Sequence, residues 1–328
     1  MKVNWGVLGA ANIAVEQVIP AMLQSEYAVV KAIASRNLSK AKKVAEQFKI
    51  PKSYGSYEDL LNDETIQAVY IPLPNHLHVE WAIKALQSGK HVLVEKPVAM
   101  NVIEAQKLMD EAKKHPNLKL MEAYMYKFHL QWIKVKQLIQ NGSIGKLKMI
   151  ESSFSFFDAD PNSIVNSKEF GGGSLMDIGC YPVSISRFLF DAEPKRVLAS
   201  QKIHPQFHVD IQTSGVLEFE EGTSVFFSSI QLYEDQQVKL FGTDGTIELE
   251  IPFNPPNDGS TKIIVTAENA CKEILIEKCD QYGLQADYFS KAILQNSELP
   301  RLFEDAVKNM TVIDAIKESA RLGQAVLL

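Results

Sequence analysis

The 328-residue sequence predicts an α/β protein with two domains. Its first third alternates short apolar strands with helical segments, which is the pattern of a doubly wound parallel sheet. From about Gly145 onward the strands are longer and are joined by tight turns such as "EEGT" and "TDGT". These features indicate an α/β domain with a large, mostly antiparallel open sheet. Because a chain of this length exceeds one ordinary core, we expect a first domain over residues 1–121 and a second over residues 122–328.

The elements of the first domain can be placed from apolar runs and helix-end signals. The expected strands are residues 3–8, 29–34, 68–72, 91–94 and 118–121. Asn75 is expected to cap one of the intervening helices, with Gly89 at its C-terminal end. Asn101 and Glu104 have the spacing of a capping box before a helix that stops at Pro116. In the second domain, helices are expected over residues 287–296 and 303–322.

Composition and charge narrow the classes of function. The sequence is 46% hydrophobic and 23% charged, with a net charge of -6, and therefore shows no basic excess for nucleic acid or an anionic membrane surface. The N-terminus lacks signal-peptide features, and no apolar run approaches the ~20 residues of a membrane helix, so we expect a cytoplasmic protein. Cys180, Cys271 and Cys279 show no CxxC spacing, which favours reduced thiols over a disulfide framework or a zinc site.

The stretch "GVLGAANIA" follows the first predicted strand. Gly9, Ala11 and Ala14 supply a tight turn, close backbone approach and close helix packing, as in a G-x-A-x-x-A form of the dinucleotide fingerprint. A plain strand-to-helix turn is the alternative. With the intervening Asn12 and Ile13, this turn is the predicted site for a cofactor pyrophosphate.

The end of the second strand bears on which dinucleotide is bound. Enzymes that hold NAD place an acidic residue there, whereas this chain has Ser35 and Arg36. A hydroxyl and a guanidinium suit a ribose 2′-phosphate, because Arg forms paired charged hydrogen bonds with phosphate oxygens. We therefore predict NADP, with NAD as a possible second cofactor; the alternative is that Arg36 is a solvated loop residue.

The loop "YIPLPNHLH" leaves the carboxyl end of the strand at 68–72, where it is expected to cross the cofactor crevice. Pro72, Asn75 and His78 are its predicted cofactor contacts. A metal site at His76 and His78 is disfavoured, because no cysteine or carboxylate lies at ligand spacing. No metal is expected.

The stretch "HVLVEKPV" places two opposite charges where a buried strand ends. Glu95 and Lys96 should emerge at the same edge of the sheet as the cofactor loops. The bond from Lys96 to Pro97 is a candidate cis peptide, since X-Pro bonds adopt this form at low cost. The alternative is an exposed ion pair at a strand end.

The tract "GGGSLMDIGCYPVSISRFLF" brings a second pair of polar groups. If it is helical from Ser174, Asp177 and Tyr181 are four residues apart and share a face. Pro182 argues against an unbroken helix. The alternative is that Asp177 is a cap and Tyr181 a core aromatic residue.

These motifs, together with "LMEAYMYKFH", resemble the Gfo/Idh/MocA oxidoreductases over nearly the whole chain. The resemblance is strongest to the branch that holds dimeric dihydrodiol dehydrogenase and NADP-dependent D-xylose dehydrogenase. Inositol dehydrogenase and many relatives carry His where this chain has Tyr181, which argues against an inositol substrate. The resemblance implies an N-terminal Rossmann domain and a C-terminal sheet that often forms a dimer interface. It also implies that Lys96 and Tyr181 flank the substrate, with Asp177 nearby.

The chemistry of these residues fits an NAD(P)-dependent oxidoreductase acting on a sugar, a polyol or a related carbonyl compound. We expect Tyr181 to act as acid/base, Lys96 as its electrostatic partner and Asp177 as an orienting group, and the division of proton transfer between Lys96 and Tyr181 stays open. A homodimer or homotetramer is expected to form through the C-terminal sheet. The alternatives are a non-catalytic NAD(P)-binding regulator and a reductase of dicarbonyl compounds.

Overall fold

The computed structural model describes residues 1–268, 270–299 and 302–328. The chain divides into two compact units, one of residues 1–125 and 280–307 and the other of residues 126–279 and 308–328. The chain first passes from the first unit to the second after residue 125, four residues beyond the predicted boundary at 121. Residues 280–307 belong to the first unit, whereas the sequence placed them in a second domain of residues 122–328.

In the described part of the first unit, six parallel strands form a sheet in the order β3-β2-β1-β4-β5-β6. They are β1 (Val3–Leu8), β2 (Ala28–Ala34), β3 (Lys52–Tyr54), β4 (Ala68–Ile71), β5 (His91–Val94) and β6 (Leu120–Glu122). This is the doubly wound Rossmann order, with its switch point between β1 and β4. The prediction of a parallel sheet is confirmed. It missed β3, a half-buried strand of three residues that has no apolar run to reveal it.

Helices pack beside this sheet. They are α1 (Ile19–Gln24), α2 (Leu38–Phe48), α3 (Tyr57–Leu61), α4 (His78–Gln87), α5 (Val102–Lys114) and α8 (Gln281–Leu294). The predicted cap of α5 is confirmed, because Asn101 Oδ1 accepts a hydrogen bond from the Glu104 amide at 2.9 Å. The predicted cap at Asn75 is wrong: Asn75 begins a 3-10 turn after the extended Pro74, and α4 begins only at His78.

Helix α8 explains why residues 280–307 belong to the first unit. It begins six residues before the predicted start at 287, because the Asp280 side chain caps the amides of Tyr282 and Gly283. Trp5 Nε1 of β1 donates a hydrogen bond to Ser290 Oγ at 3.0 Å. These anchors are long-range contacts, and a sequence pattern does not reveal them.

In the described part of the second unit, nine strands form one sheet in the order β14-β13-β12-β11-β7-β10-β9-β8-β15. They are β7 (Leu147–Phe157), β8 (Arg196–Ile203), β9 (Asp210–Glu218), β10 (Thr223–Ser229), β11 (Gln231–Gly242), β12 (Gly245–Leu249), β13 (Thr261–Ala267), β14 (Ala270–Ile276) and β15 (Val326–Leu327). The helices of this part of the chain are α6 (Leu130–Gln140), α7 (Cys180–Phe190) and α9 (Leu302–Leu322), and α9 crosses from the first unit into the second. The pairs are antiparallel except for β7 with β10, so the prediction of a mostly antiparallel sheet is confirmed.

The two faces of the large sheet differ in character. Helix α7 packs on the face that carries buried apolar residues such as Ile150 and Leu240. The opposite face combines partly exposed Leu198 and Phe227 with a Lys239–Glu248 ion pair at 3.1 Å. This outer face is therefore mixed, and less uniformly apolar than the strand sequences predict. Within the described ranges, we find no helix with the length and apolar character needed to cross a membrane.

Candidate active site

The first turn of the parallel sheet is built around Gly9. Its φ of +126° is one that residues with a side chain rarely adopt, and an added Cβ would lie 3.1 Å from Leu73 Cδ2. The Gly9 amide donates to Ala34 O at 2.9 Å, which ties the turn to β2. Ala11 and Ile13 are half-buried and Asn12 is exposed. The turn therefore presents backbone with little side-chain bulk, which fits the close approach of a pyrophosphate.

The helical segments that follow two candidate site loops both contain π-turns. Residues Ala14–Val18 form one before α1, and Leu175–Gly179 form the other before α7. Pro20 and Pro182 lie just beyond these turns, and a proline ring crowds the carbonyl four residues earlier. In both cases that carbonyl belongs to the wider π-turn, which gives the ring room. The helix predicted from Ser174 is thus confirmed, with a π-turn ahead of the proline.

The end of β2 presents a hydroxyl and a guanidinium. Ser35 is buried, and its Oγ accepts a hydrogen bond from the Asn37 amide at 3.2 Å. Arg36 is exposed and lies beside Tyr57: burial raises the pKa of that phenol, and the nearby guanidinium opposes the rise. Asn37 caps α2. These groups offer hydrogen-bond donors to a phosphate at the carboxyl edge of the sheet.

The three predicted contacts after β4 are placed differently from one another. Pro72 is buried and Asn75 is half-buried, whereas the His78 ring is fully buried. His78 Nδ1 lies 2.8 Å from Pro97 O, and Nε2 lies 2.6 Å from Leu73 O. Burial lowers the pKa of His78 to about 4, although the two carbonyls favour the protonated ring. His78 therefore ties the loop after β4 to the turn after β5.

The "EKP" turn at the end of β5 is supported by two residues that sequence analysis did not single out. Tyr70 OH donates to Glu95 Oε1 at 2.6 Å. Glu122, buried at the end of β6, accepts from the Val98 amide at 2.8 Å through Oε1. Lys96 is half-buried, and the predicted cis bond to Pro97 is confirmed. In the sequence, the position of Glu122 at the end of a strand, in "LMEAYMYKFH", could have indicated this role.

In the second unit, Asp177 lies in the π-turn and Tyr181 in the first turn of α7. Asp177 is half-buried. Tyr181 is 5% exposed, and its ring centroid is 5.8 Å from that of Tyr126, 5.7 Å from Phe154 and 5.3 Å from Phe253. Aromatic packing on three sides therefore fixes the position of the Tyr181 ring.

The start of this helical tract is held by a residue that sequence analysis missed. Asp210, the first residue of β9, is 8% exposed, and its Oδ2 accepts from Ser174 Oγ at 2.7 Å. It also accepts from the Leu175 amide at 2.8 Å and from Thr213 Oγ1 at 2.7 Å. Burial raises the pKa of Asp210, and these hydrogen bonds oppose the rise. An acid at the start of a strand gave no local signal of this role.

The chain matches known proteins along nearly all of its length. The Gfo/Idh/MocA oxidoreductase family model, described as an NAD-binding Rossmann fold, matches residues 3–124, and the model of the family's C-terminal domain matches residues 132–248. An uncharacterized oxidoreductase from Rhizobium meliloti is 43% identical, with 98% of each chain covered. D-xylose 1-dehydrogenase (NADP(+)) 2 from Haloferax volcanii is 38% identical, with 99% of each chain covered.

Solved structures agree with these matches. A 3-ketoreductase from Actinomadura kijaniata, in complex with NADP and TDP-benzene, superposes with a TM-score of 0.92 at 27% identity, over 97% of this chain and 98% of the other. An aldose-aldose oxidoreductase from Caulobacter crescentus superposes with the same score of 0.92 at 26% identity, over 100% of both chains. On the combined evidence of its motifs, its two matched domains and these relatives, the chain belongs to the Gfo/Idh/MocA oxidoreductase family.

Proposed function

We propose that the protein is an NADP-dependent dehydrogenase or reductase acting on a CH–OH group of a sugar, a polyol or a related carbonyl compound. The observation that carries the proposal is the carboxyl edge of the parallel sheet. Here the open backbone at Gly9, the donors at Ser35 and Arg36, and the supported turn at Glu95 and Lys96 follow β1, β2 and β5. In this fold, that edge at the switch point is where dinucleotides bind.

Ser35 and Arg36 support NADP over NAD. They stand where enzymes that use NAD carry an acidic residue, and they offer hydrogen bonds to a 2′-phosphate. The Haloferax relative is named for NADP, and the Actinomadura ketoreductase was solved with it. Under this proposal NAD binds more weakly than NADP. The residues expected at the cofactor lie around the first turn and at the ends of β2, β4 and β5, namely Gly9, Ala11, Asn12, Ile13, Ser35, Arg36, Pro72, Asn75, Glu95 and Lys96. His78 was also predicted there, and both of its ring nitrogens lie at backbone carbonyls.

The proposed chemistry assigns one task to each polar group. The cofactor, when bound, supplies or accepts the hydride. Tyr181 Oη takes the proton of the substrate hydroxyl during oxidation and returns it during reduction. Lys96 Nζ donates a hydrogen bond to the same substrate oxygen and favours the phenolate by its charge. Asp177 orients the substrate through its carboxylate.

A spectrophotometric screen at 340 nm tests this function. Aldoses beginning with D-xylose, together with polyols, ketones and dicarbonyl compounds, are offered with NADP, NADPH, NAD and NADH. We expect turnover with an aldose or a related compound, faster with NADP than with NAD. Tight NADP binding without turnover on any compound would instead support a non-catalytic regulator. Turnover confined to dicarbonyl compounds would support the reductase alternative.

We also propose a homodimer or homotetramer formed through the outer face of the large sheet, and a cytoplasmic location. Phe227 on that face is 36% exposed and Leu198 is 44% exposed, which leaves apolar area for a second copy to cover. Light scattering should show a dimer or tetramer that Phe227→Glu weakens. Ile103→Glu is the control, because Ile103 is 79% exposed on α5. A stable wild-type monomer at micromolar concentration would rule out this assembly.

A further inference from the structure

Asp210 gathers three hydrogen bonds on one carboxylate oxygen. Its Oδ2 accepts from two hydroxyls, Ser174 Oγ and Thr213 Oγ1, and from the backbone amide of Leu175, all at 2.7 to 2.8 Å. Two of these donors lie 35 and 36 residues away in the sequence. A buried carboxylate needs such partners, because an unpaired one would be costly. Asp210 is therefore built into the start of the helical tract rather than facing solvent.

The tract has no local cap of its own. The Ser174 side chain forms no capping bond, although the first amides of a helix need acceptors from outside it. Residues 171–173 are glycines, so the three positions just before the tract carry no side chain that could supply one. Asp210 supplies this acceptor from β9, and its negative charge suits the positive end of the helix dipole.

The backbone around Gly173 fits closely against Asp210. Gly173 has a φ of +107°, and a Cβ at this position would meet Asp210 Oδ1. Gly173 O accepts from the Asp177 amide at 3.0 Å, so the turn that carries Asp177 starts at the residue against which Asp210 is packed. A displacement of Asp210 would therefore be passed on directly to Asp177.

The far end of the π-turn also rests on the sheet. A Cβ on Gly179 would lie 2.6 Å from Ser228 Oγ of β10. Ser228 Oγ in turn lies 3.2 Å from Ser174 Oγ. Both ends of the π-turn are thus seated on β9 and β10, and Tyr181 follows two residues after Gly179.

We propose that Asp210 is a positioning residue for Asp177 and Tyr181: it fixes the start of the helical tract that carries both, without touching the substrate itself. The inference rests on the proposed roles of Asp177 and Tyr181. It adds a residue from a distant strand on which the geometry of these two side chains depends.

Asp210→Asn tests the proposal, since it keeps the size of the side chain and removes the carboxylate. The new NH2 group either faces the three donors that bind Asp210 Oδ2, or takes the place of Oδ1 beside Gly173. We expect kcat with NADP and the substrate found by the screen to fall about 10- to 100-fold, the scale of a misplaced catalytic group. The Kd of NADP, measured by fluorescence titration, should stay within about twofold, because the predicted cofactor residues belong to the first unit.

Ser224→Ala is the matched control. Ser224 Oγ of β10 lies 2.7 Å from Ser186 Oγ of α7, and both residues are fully buried. This variant removes a buried bond between the same helix and the same sheet, away from the π-turn. It should lower the melting temperature and leave kcat unchanged. An Asp210→Asn enzyme with the kcat of Ser224→Ala would overturn the proposal.

Tyr181→Phe separates this inference from the proposed function. If Asp210 acts through the tract, Asp210→Asn should cost less turnover in the Tyr181→Phe background than in the wild type, because only its effect on Asp177 remains, whereas independent effects would multiply. Wild-type turnover by Tyr181→Phe would contradict the proposed function. A large loss in Tyr181→Phe with none in Asp210→Asn would contradict the inference alone. If Asp210→Asn does not fold, Ser174→Ala, which removes one donor, should reduce kcat several-fold, and wild-type kcat in that variant would overturn the inference.

Discussion

The two units hold their candidate site residues in different ways. In the first unit, the groups follow the ends of parallel strands, and nearby backbone fixes them: Gly9 by its own φ, and Glu95 by Tyr70 of the neighbouring β4. In the second unit, Asp177 and Tyr181 share one helical tract whose start is held by Asp210 from β9. The first arrangement recurs at the ends of several strands, whereas the second uses a long-range anchor from β9.

This difference has a functional consequence. Under the proposed function several loops share the binding of the cofactor, so a change in one loop should weaken affinity by the contribution of that loop alone. The proposed chemistry of the second unit depends on the placement of one tract. We therefore expect changes at the edge of the first sheet to divide between affinity and turnover according to the residue, and changes around the tract to affect turnover.

The largest effect is expected at Lys96. Lys96→Met removes a positioned charge, and turnover should fall roughly 10²- to 10⁴-fold, which is about 3 to 5.5 kcal/mol of barrier. NADP affinity should fall far less than turnover, and the melting temperature should change little. Lys84→Met is the control, because Lys84 forms an exposed ion pair with Glu80 at 2.7 Å and such pairs contribute only ~0 to 1 kcal/mol. Equal turnover in the two variants would make Lys96 a surface charge.

A smaller effect, confined to affinity, is expected at Arg36. Arg36→Ala should cost about 1.5 to 3 kcal/mol of NADP binding, the range for hydrogen bonds to charged groups, and hardly alter NAD binding. Fluorescence titration of both cofactors measures the difference. Lys43→Ala removes one exposed positive charge from α2 and serves as the control. Equal losses for both cofactors, or a wild-type preference for NAD, would exclude a 2′-phosphate contact.

The smallest effect on activity is expected from three histidines that are buried or half-buried, because they bear on stability rather than on turnover. Burial lowers the pKa of His78 and His91 in the first unit and of His129 in the second to about 4. Lys119 adds to the effect at His91. Because the unfolded chain binds these protons near pH 6.5, the stability they contribute is present above that pH and is lost as the pH falls toward 4. The melting temperature should therefore fall across this range.

One histidine variant in each unit tests which unit loses stability as the pH falls. His91 Nδ1 accepts from the Lys119 amide at 2.9 Å, and His129 Nδ1 accepts from the Gln131 amide at 3.2 Å. Asn can accept in the same way, so His91→Asn and His129→Asn should flatten the pH dependence and keep the fold. Curves as steep as the wild type in both variants would show that other groups cause the loss.

Much of the first unit could be predicted from sequence because its signals are local. The bounds of β1 and β5 are as predicted, and so are the cap at Asn101 and the cis bond at Lys96. Each depends on a few neighbouring residues. The large sheet was also recognisable, since its hairpin turns "EEGT" and "TDGT" are local signals.

What escaped prediction depends on contacts between distant residues. Helix α8 belongs to the first unit through partners such as Trp5, 285 residues from Ser290. His78 has the sequence context of a crevice residue, but both ring nitrogens meet backbone carbonyls. Asp210 gave no signal because two of its three partners, Ser174 and Leu175, come from another element. Local patterns indicate the element a residue lies in, whereas burial and partners depend on the whole fold.

We propose that Lys96 and Tyr181 serve one reaction, and a double-mutant cycle of these two residues tests this claim. Turnover is measured for wild type, Lys96→Met, Tyr181→Phe and the double variant, with NADP and the substrate found by the screen. If the two side chains act as one unit, each single variant loses roughly 10²- to 10⁴-fold and the double variant loses far less than the product of the two. Losses that multiply, or a single variant with wild-type turnover, would contradict the claim.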